Sequence, residues 1–330
     1  MKRFILVALS ALMTLSALTL TACSLSPELA QQEPDTPPEM LLAEHPLAGK
    51  IWDVNAEQFI NQQQLADRIV NSDYLMLGET HDNPIHHQNQ AWAIGLLHDH
   101  QRSAIVAFEM ITEQQGQVIA DRAYDSTESL ITGLDHIKTG WGYQQFYAEI
   151  FDVVIKADYT ILPANFDRQK ILLIVREGEA ELPPEIKAML NDYALPADQV
   201  AASRKEIEVS HCGMINEKMT ESMMLMQRAK DAKMAQALMG QDNVETRVLV
   251  AGSGHVRNDR GVPFYLPLNA SENNLLTISW LEVQADITDA ESYAEHWGAQ
   301  KLPFDYVWFT PRVDRPDPCE QFRQHMKSKQ

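Results

Sequence analysis

Four short apolar runs recur along the chain with helical stretches between them, and each gives way to a polar residue. Tyr74 to Leu77 leads through Gly78 to Glu79, and Ser103 to Phe108 leads to Glu109. Tyr159 to Pro163 leads through Ala164 to Asn165, and Arg247 to Ala251 leads through Gly252-Ser-Gly to His255. Runs this short, and apolar on successive residues, suit strands buried on both faces. Strands separated by helices join through right-handed crossovers into a parallel sheet. The pattern therefore predicts an α/β fold: a mostly parallel β-sheet flanked by helices. A helical insertion over about residues 167–240, broken near Pro183-Pro184 and Pro196, falls between the third and fourth of these core strands. Parallel strands present their carboxyl ends on one side, where a ligand crevice opens. Glu79, His81, Glu109, Asn165 and His255 are expected to collect there.

Flanking segments complete this outline. A short strand is expected near 49–54, a helix over 57–70, and later strands near 275–283 and 305–309. Helices are expected over 113–123 and from about Gly140 to Ala157, the second with Tyr143, Phe146, Tyr147, Ile150, Phe151 and Val154 as an apolar stripe. Such a stripe is ordinarily core. Seven of the 14 methionines fall between Met214 and Met239, which fits either an irregular core or an adaptable groove or dimer surface. The last 20 residues, with Pro311, Pro316 and Pro318, read as an irregular tail.

The amino terminus reads as an export signal. Lys2 and Arg3 precede an apolar run from Phe4 to Leu20, and Leu20-Thr-Ala-Cys23 resembles a bacterial lipobox. Residues 1–22 are then a lipoprotein signal peptide, with Cys23 the lipidated (palmitate-bearing) residue. Residues 23–46, with Pro27, Pro34, Pro37, Pro38 and Pro46, form a proline-rich tether, and 47–330 form a single domain. Ser24 stands where an inner-membrane retention signal places Asp. The expected location is the outer membrane, lipid-anchored and facing the periplasm, with membrane contact through the anchor alone. The formal charge is −19, and −21 once Lys2 and Arg3 are gone (−19 − 2). Such acidity argues against nucleic acid or anionic lipid headgroups as partners. In an oxidising compartment Cys212 and Cys319 either form one disulfide or remain buried thiols.

The richest stretch is Gly78-Glu-Thr-His-Asp-Asn-Pro-Ile-His-His. Asp82 or Asn83 can cap a helix that Pro84 begins. His86 and His87 then sit in its first turn, where the helix dipole favours neutral imidazoles. They are either solvated residues near a cap or groups that bind a metal or a proton. Two carboxylates and two or more imidazoles at the strand ends suit general acid/base hydrolysis, with Glu79, His81, Glu109 and His255 as the catalytic candidates. The same four residues are the candidate ligands of a divalent metal. The serine elbow Gly-x-Ser-x-Gly and the His-Glu-x-x-His motif are absent, and the glycines around 252 are wrongly spaced for a dinucleotide fingerprint.

Several of these motifs carry a family resemblance. Gly78-Glu-Thr-His-Asp-Asn-Pro-x-His-His, Phe108-Glu109, Tyr147 leading to Ala164-Asn165 and His211-Cys212-Gly213 occur in one order with three more. Those are Ala251-Gly-x-Gly-His-Val-Arg, Gly261-Val-Pro263 and Asp317-Pro-Cys319. Together they resemble the ChaN-type haem-binding lipoproteins, within a wider group that includes the Tiki/TraB proteins and the erythromycin esterases. The resemblance spans roughly residues 48–320. It implies an outer-membrane lipoprotein that binds haem for iron uptake as a homodimer, with two haems face to face, tyrosinate ligation and an outer-membrane haem receptor as partner. Tyr147, then Tyr143, are the candidate ligands, with His211 a candidate haem contact from across the dimer seam. A phenolate is a sound axial ligand for ferric haem. The wider group implies instead that Glu79, His81, Glu109 and His255 serve hydrolysis, in some members with a metal.

Overall fold

The computed structural model describes residues 39–121, 124–241, 243–267 and 274–328. The signal segment, Cys23 and nearly all of the tether lie outside the described residues.

Ten strands occur in chain order: β1 (Met40–Leu41), β2 (Ile51–Asp53), β3 (Gln58–Ile60), β4 (Tyr74–Glu79), β5 (Ala104–Thr112), β6 (Thr160–Asn165), β7 (Thr246–Gly252), β8 (Leu275–Glu282), β9 (Tyr306–Thr310) and β10 (Arg312–Val313). Eight of them form one sheet in the order β3-β2-β9-β8-β4-β7-β5-β6, while β1 and β10 pair as a separate ribbon. Within that sheet every pairing from β9 to β6 is parallel, and only the β2–β3 and β2–β9 pairs run antiparallel. The fold is thus a mixed α/β sheet, mostly parallel and flanked by helices.

Side-chain alternation explains why the central strands are apolar at successive positions. Leu75 and Leu77 of β4, Val106 and Phe108 of β5, and Val248 and Val250 of β7 face one layer. There they pack under Ile94, Leu97, Leu130, Ile150 and Phe151 from the helices Pro84–Asp99, Thr127–Asp135 and Ala148–Lys156. Met76, Ile105, Ala107, Leu249 and Ala251 face the opposite layer, against Ala232, Ala235 and Leu238 of the helix Glu217–Leu238 and Ile174 and Ile186 of two others. Both faces are covered, so neither period-two alternation nor polar relief is possible in the middle of the sheet.

The helical insertion comprises helices Arg168–Glu177, Pro184–Asp192, Ala197–Ser210 and Glu217–Leu238. It lies between β6 and β7. Proline at the first position starts Pro184–Asp192, and Pro196 immediately precedes Ala197–Ser210. Cys212 and Cys319 form a disulfide across 107 residues, tying the turn after Ser210 to the helix Pro318–Ser328.

The structure departs from the sequence reading in four places. Residues 58–60 are a strand rather than helix, because Phe59 pairs opposite Trp52 with ring centroids 4.9 Å apart. The 113–123 helix shrinks to Gly116–Ala120, and a further helix, Thr127–Asp135, begins at a Ser126 capping box. Tyr143–Tyr147 winds as a π-helical turn before Ala148–Lys156. The carboxyl-terminal segment is helical from Pro318 rather than an irregular tail. No helix of the described residues is long and apolar enough to cross a membrane.

Candidate functional site

The strand ends meet as the parallel order requires. Glu79 is the last residue of β4, and Glu109 lies where the β5–β6 register breaks between Phe108 and Thr112. Gly252 ends β7, and the single turn Ser253–Val256 behind it carries His255. A bulge at a strand end turns a side chain off the pleat, which is what aims the Glu109 carboxylate at β7. Asn83 caps the helix Pro84–Asp99 by accepting from the Ile85 N–H, and that brings His86 and His87 back over the end of β4.

Around Glu79 every neighbour is a donor. Tyr147 donates its phenol proton to Oε1 at 2.7 Å, and His81 Nδ1 lies 2.7 Å from the same oxygen. His87 Nδ1 approaches Oε2 to 2.8 Å while its Nε2 reaches the His81 carbonyl at 3.0 Å. Burial alone would raise the Glu79 pKa, but the charge of His87 and the contacts from both histidines outweigh it and hold the carboxyl at about 2. Burial likewise opposes charge on His87, and Glu79 overcomes it, so the His87 pKa is raised. His81 is the one member with a half-open ring, 42% exposed, stacked edge-on against Trp141 at 4.7 Å.

Glu109 anchors the second half. Its Oε2 accepts the Gly252 N–H at 2.9 Å, and its Oε1 meets the Lys230 ammonium and His255 Nε2, the latter at 3.2 Å. His255 Nδ1 in turn meets Asp231 Oδ1 at 2.5 Å, with the Gln227 amide 3.0 Å from the same nitrogen. Burial opposes ionisation of Glu109, yet His255 and Lys230 pull its pKa well below the usual carboxylate value. For His255 burial favours the neutral ring, and the charges of Glu109 and Asp231 win, lifting it to about 9. Burial prevails at Asp231, whose pKa is raised. The two halves touch at Gly252. A Cβ there would stand 3.0 Å from His81 Cε1 and 3.6 Å from Glu109 Oε2, so only glycine leaves room for the imidazole beside the carboxylate.

Lys230, Asp231 and Gly254 also line a neighbouring cleft of about 430 Å³ under the helical insertion. Its apolar wall is Val175, Leu195, Ile207, Met223 and Met226, and His211 stands beside Ser210 at its lining. His211 Nδ1–H donates to the Ile207 carbonyl at 2.8 Å, which fixes how the ring is turned. Of the methionine-rich span, Met224 and Met234 are buried in the core, Met223 and Met226 line the cleft, and Met219 is exposed.

Glu79, His81, Glu109 and His255 are therefore brought together, and Tyr147 joins them. Asn165 does not face the space: its amide donates to the Glu109 carbonyl at 2.8 Å and its Oδ1 accepts from the Phe166 N–H, so it braces the strand ends. His86 and His87 are buried, not solvated. His86 accepts the Thr80 N–H at 2.9 Å and meets Thr310 Oγ1 at 2.8 Å; burial pulls its pKa down to about 3, and the neutral ring is structural. The two tyrosine candidates are enclosed. Tyr147 is fully buried against a carboxylate, and burial with Glu79 drives its pKa far up; Tyr143 donates to the Met110 carbonyl at 2.6 Å and burial raises it too. Neither phenol is presented to a surface in phenolate form. His211 lies apart from this cluster, in the cleft.

Among the described residues no group of three or more His, Cys, Asp or Glu is disposed to hold a metal ion. The Lys230 ammonium contacts both Glu109 and His255, which also meet each other directly. Sequence reasoning missed Lys230 and Asp231, because both sit in a helix whose dominant signal is methionine. The available signal was the helical spacing of Gln227, Lys230 and Asp231, which places three polar residues on one face of an otherwise packed helix.

The model of the family described as haem-binding uptake, Tiki superfamily, ChaN matches residues 65–266. The solved structure of cofacial haem binding to ChaN of Campylobacter jejuni is similar at a TM-score of 0.60 and 20% identity, covering 78% of this chain and 95% of that one. The type III effector HopBA1 is similar at 0.39 and 11%, covering 76% and 92%. An erythromycin esterase variant in its open conformation is similar at 0.39 and 11%, covering 79% and 81%. No curated protein matches the chain in sequence.

Proposed function

This chain belongs to the haem-binding uptake family of the Tiki superfamily, ChaN, and from that premise we propose that it binds haem in the cleft under the helical insertion. The observation that carries the reading is the chemistry of that cleft. Val175, Leu195, Ile207, Met223 and Met226 offer an adaptable apolar wall, and the volume of about 430 Å³ falls in the range of small-molecule sites. His211 supplies an imidazole oriented by the Ile207 carbonyl. His211 would hold the iron of a bound haem, which would supply the redox-active centre. Leu172, Val209 and Met219 are exposed on the same helices that line the cleft, and they suit cover by a second copy of the chain. With the lipobox, this favours an outer-membrane, lipid-anchored homodimer that passes haem to or from a receptor in iron uptake. Titration with ferric haem should give a saturable Soret band equimolar with protein, weakened in His211→Ala, with a rise in sedimentation coefficient on loading. Absence of a saturable band ends the carrier reading.

One observation favours a second reading, acid/base hydrolysis. His81 alone of the cluster is half-open to solvent, and Glu79, ionised and buried, holds its Nδ1. A carboxylate that fixes an imidazole so that Nε2 can take a proton is the arrangement of a general base. On the far side His255, protonated at neutral pH and oriented by Asp231, can donate. Ester turnover abolished in both His81→Ala and His255→Gln is the expected outcome. No turnover in the wild type on a panel of esters removes this reading.

A further inference from the structure

Four cations line the cleft: Arg228, Lys230, Arg257 and Arg260. Three of them are answered by carboxylates. Lys230 pairs with Glu109, Arg257 with Glu206 at 2.9 Å and with Asp259, and Arg260 with Glu206 and, at 3.2 Å, Asp259. Arg228 is different. Its Nε donates to the Tyr265 hydroxyl at 3.1 Å, and its Nη2 donates to the carbonyls of Leu190 at 2.9 Å and Tyr193 at 3.4 Å. All three partners are neutral, and burial pushes the Tyr265 phenol up to about 12, so it does not become a counter-charge. Among the described residues no carboxylate pairs with Arg228. The chain has 46 acidic residues against 27 basic ones, so this is no shortage of acids.

A guanidinium in a partly desolvated cleft, oriented by three bonds and lacking an anion, is pre-organised to accept one. Two of the bonds go to carbonyls at the end of the helix Pro184–Asp192, which fixes the fork relative to the apolar wall. We propose that Arg228 is the carboxylate-recognition residue of the cleft, taking a propionate of the bound porphyrin, an assignment that rests on the haem reading. A ligand that carries its acidic groups on an apolar plane meets Met223 and Met226 with its face and Arg228 with its edge. The competing role for Arg228 is purely structural: capping the carboxyl end of Pro184–Asp192.

The test compares ferric protoporphyrin IX with its dimethyl ester, in one mixed aqueous–organic buffer, against wild type, Arg228→Gln and Arg228→Lys. Thermal unfolding of all three proteins is followed in parallel. Wild type is expected to bind the free acid roughly tenfold to a hundredfold more tightly than the ester, the range of a charge-assisted hydrogen bond. Arg228→Gln should lower affinity for the free acid and close the gap between the two ligands, and Arg228→Lys should restore part of it. A capping role alone would shift the melting temperature and leave the gap between the ligands as it was. Equal binding of acid and ester by wild type, or an unchanged gap in Arg228→Gln, overturns the assignment while haem binding stands. Failure of wild type to bind either porphyrin overturns the haem reading itself, and the assignment with it.

Discussion

The strand-end cluster and the cleft beside it share Gln227, Lys230 and Asp231, yet they are built on opposite principles. In the cluster the ionisable groups Glu79, His87, Glu109, Asp231 and His255 are all nearly inaccessible, and each meets a partner of opposite character. In the cleft the lining residues Met223, Met226, Ile207 and Arg228 are only partly buried. A closed polar network fixes geometry because each group that moves strands another. An open apolar wall with unbranched side chains adapts its shape. The difference separates two tasks: the cluster is suited to hold protons in fixed places, the cleft to grip a large ligand.

The sharpest break in that comparison comes from removing one member on each side. Glu109→Ala leaves Lys230 and His255 as neighbouring cations without their carboxylate, and breaking a buried ion pair in this way costs about 3–5 kcal/mol. Met226→Ala removes part of a half-buried wall and is expected to cost less than about 2 kcal/mol, below the range for a fully buried methionine. Urea unfolding of the two variants measures both. Equal losses would mean that the cleft is as tightly built as the cluster.

A smaller effect separates the regions by pH. The folded-state pKa of His255 is raised to about 9 from 6.5, so the fold favours its charged form. Its contribution is complete below 6.5 and is lost as pH rises through 9, on the order of 3 kcal/mol for the full shift. His86 has the opposite sign. Its pKa is pulled down to about 3, so its contribution is present above 6.5 and is lost as pH falls towards 3. Glu79, held near 2, adds a further loss as pH falls from 4.5 to 2. Stability should therefore form a dome around neutral pH. His255→Gln should flatten its alkaline side, whereas Met226→Ala should lower the whole dome without changing its shape. Urea midpoints across the pH range report the outcome.

How far each region was legible in the sequence follows from the same contrast. Glu79, Glu109 and His255 could be placed together because strand ends are marked by a change from apolar to polar, and parallel strands share one direction. His87 and Tyr147 were visible, but their partners were not. Whether an imidazole in a helix's first turn is solvated or folded over a strand end depends on the neighbouring β8–β9 edge, where Thr310 and Glu282 hold His86 and Asn83. Tyr147 looked like a ligand or a core ring, and its hydroxyl instead reaches a residue 68 positions earlier. Lys230 and Asp231 were hidden because helix periodicity reports which face is apolar, not which partner that face meets, whereas the methionine-rich span did offer a groove as one of its readings. Arg228 is the extreme case: an unremarkable basic residue on a helix until its neighbours prove to be neutral.

The smallest expected effect tests whether the two regions can be uncoupled. Gly252 has a φ of −59°, which any residue adopts, so Gly252→Ala carries no backbone strain. Its added methyl would lie 3.0 Å from His81 Cε1 and 3.1 Å from Nε2, closer than ordinary contact. The His81 ring is 42% exposed and can swing outward, so the stability cost should stay near 1 kcal/mol, at the low end for overpacking. The swing separates Nδ1 from Glu79, and any ester turnover should fall by an order of magnitude or more, in the range of a lost general base. The Glu109 contact with the Gly252 N–H survives, because the backbone has no reason to move. Haem affinity should be unchanged, since the atoms nearest the new methyl belong to His81 and Glu109, which do not line the cleft. A parallel loss of haem affinity would mean that His81 or its movement reaches the cleft, and that cluster and cleft act as one site.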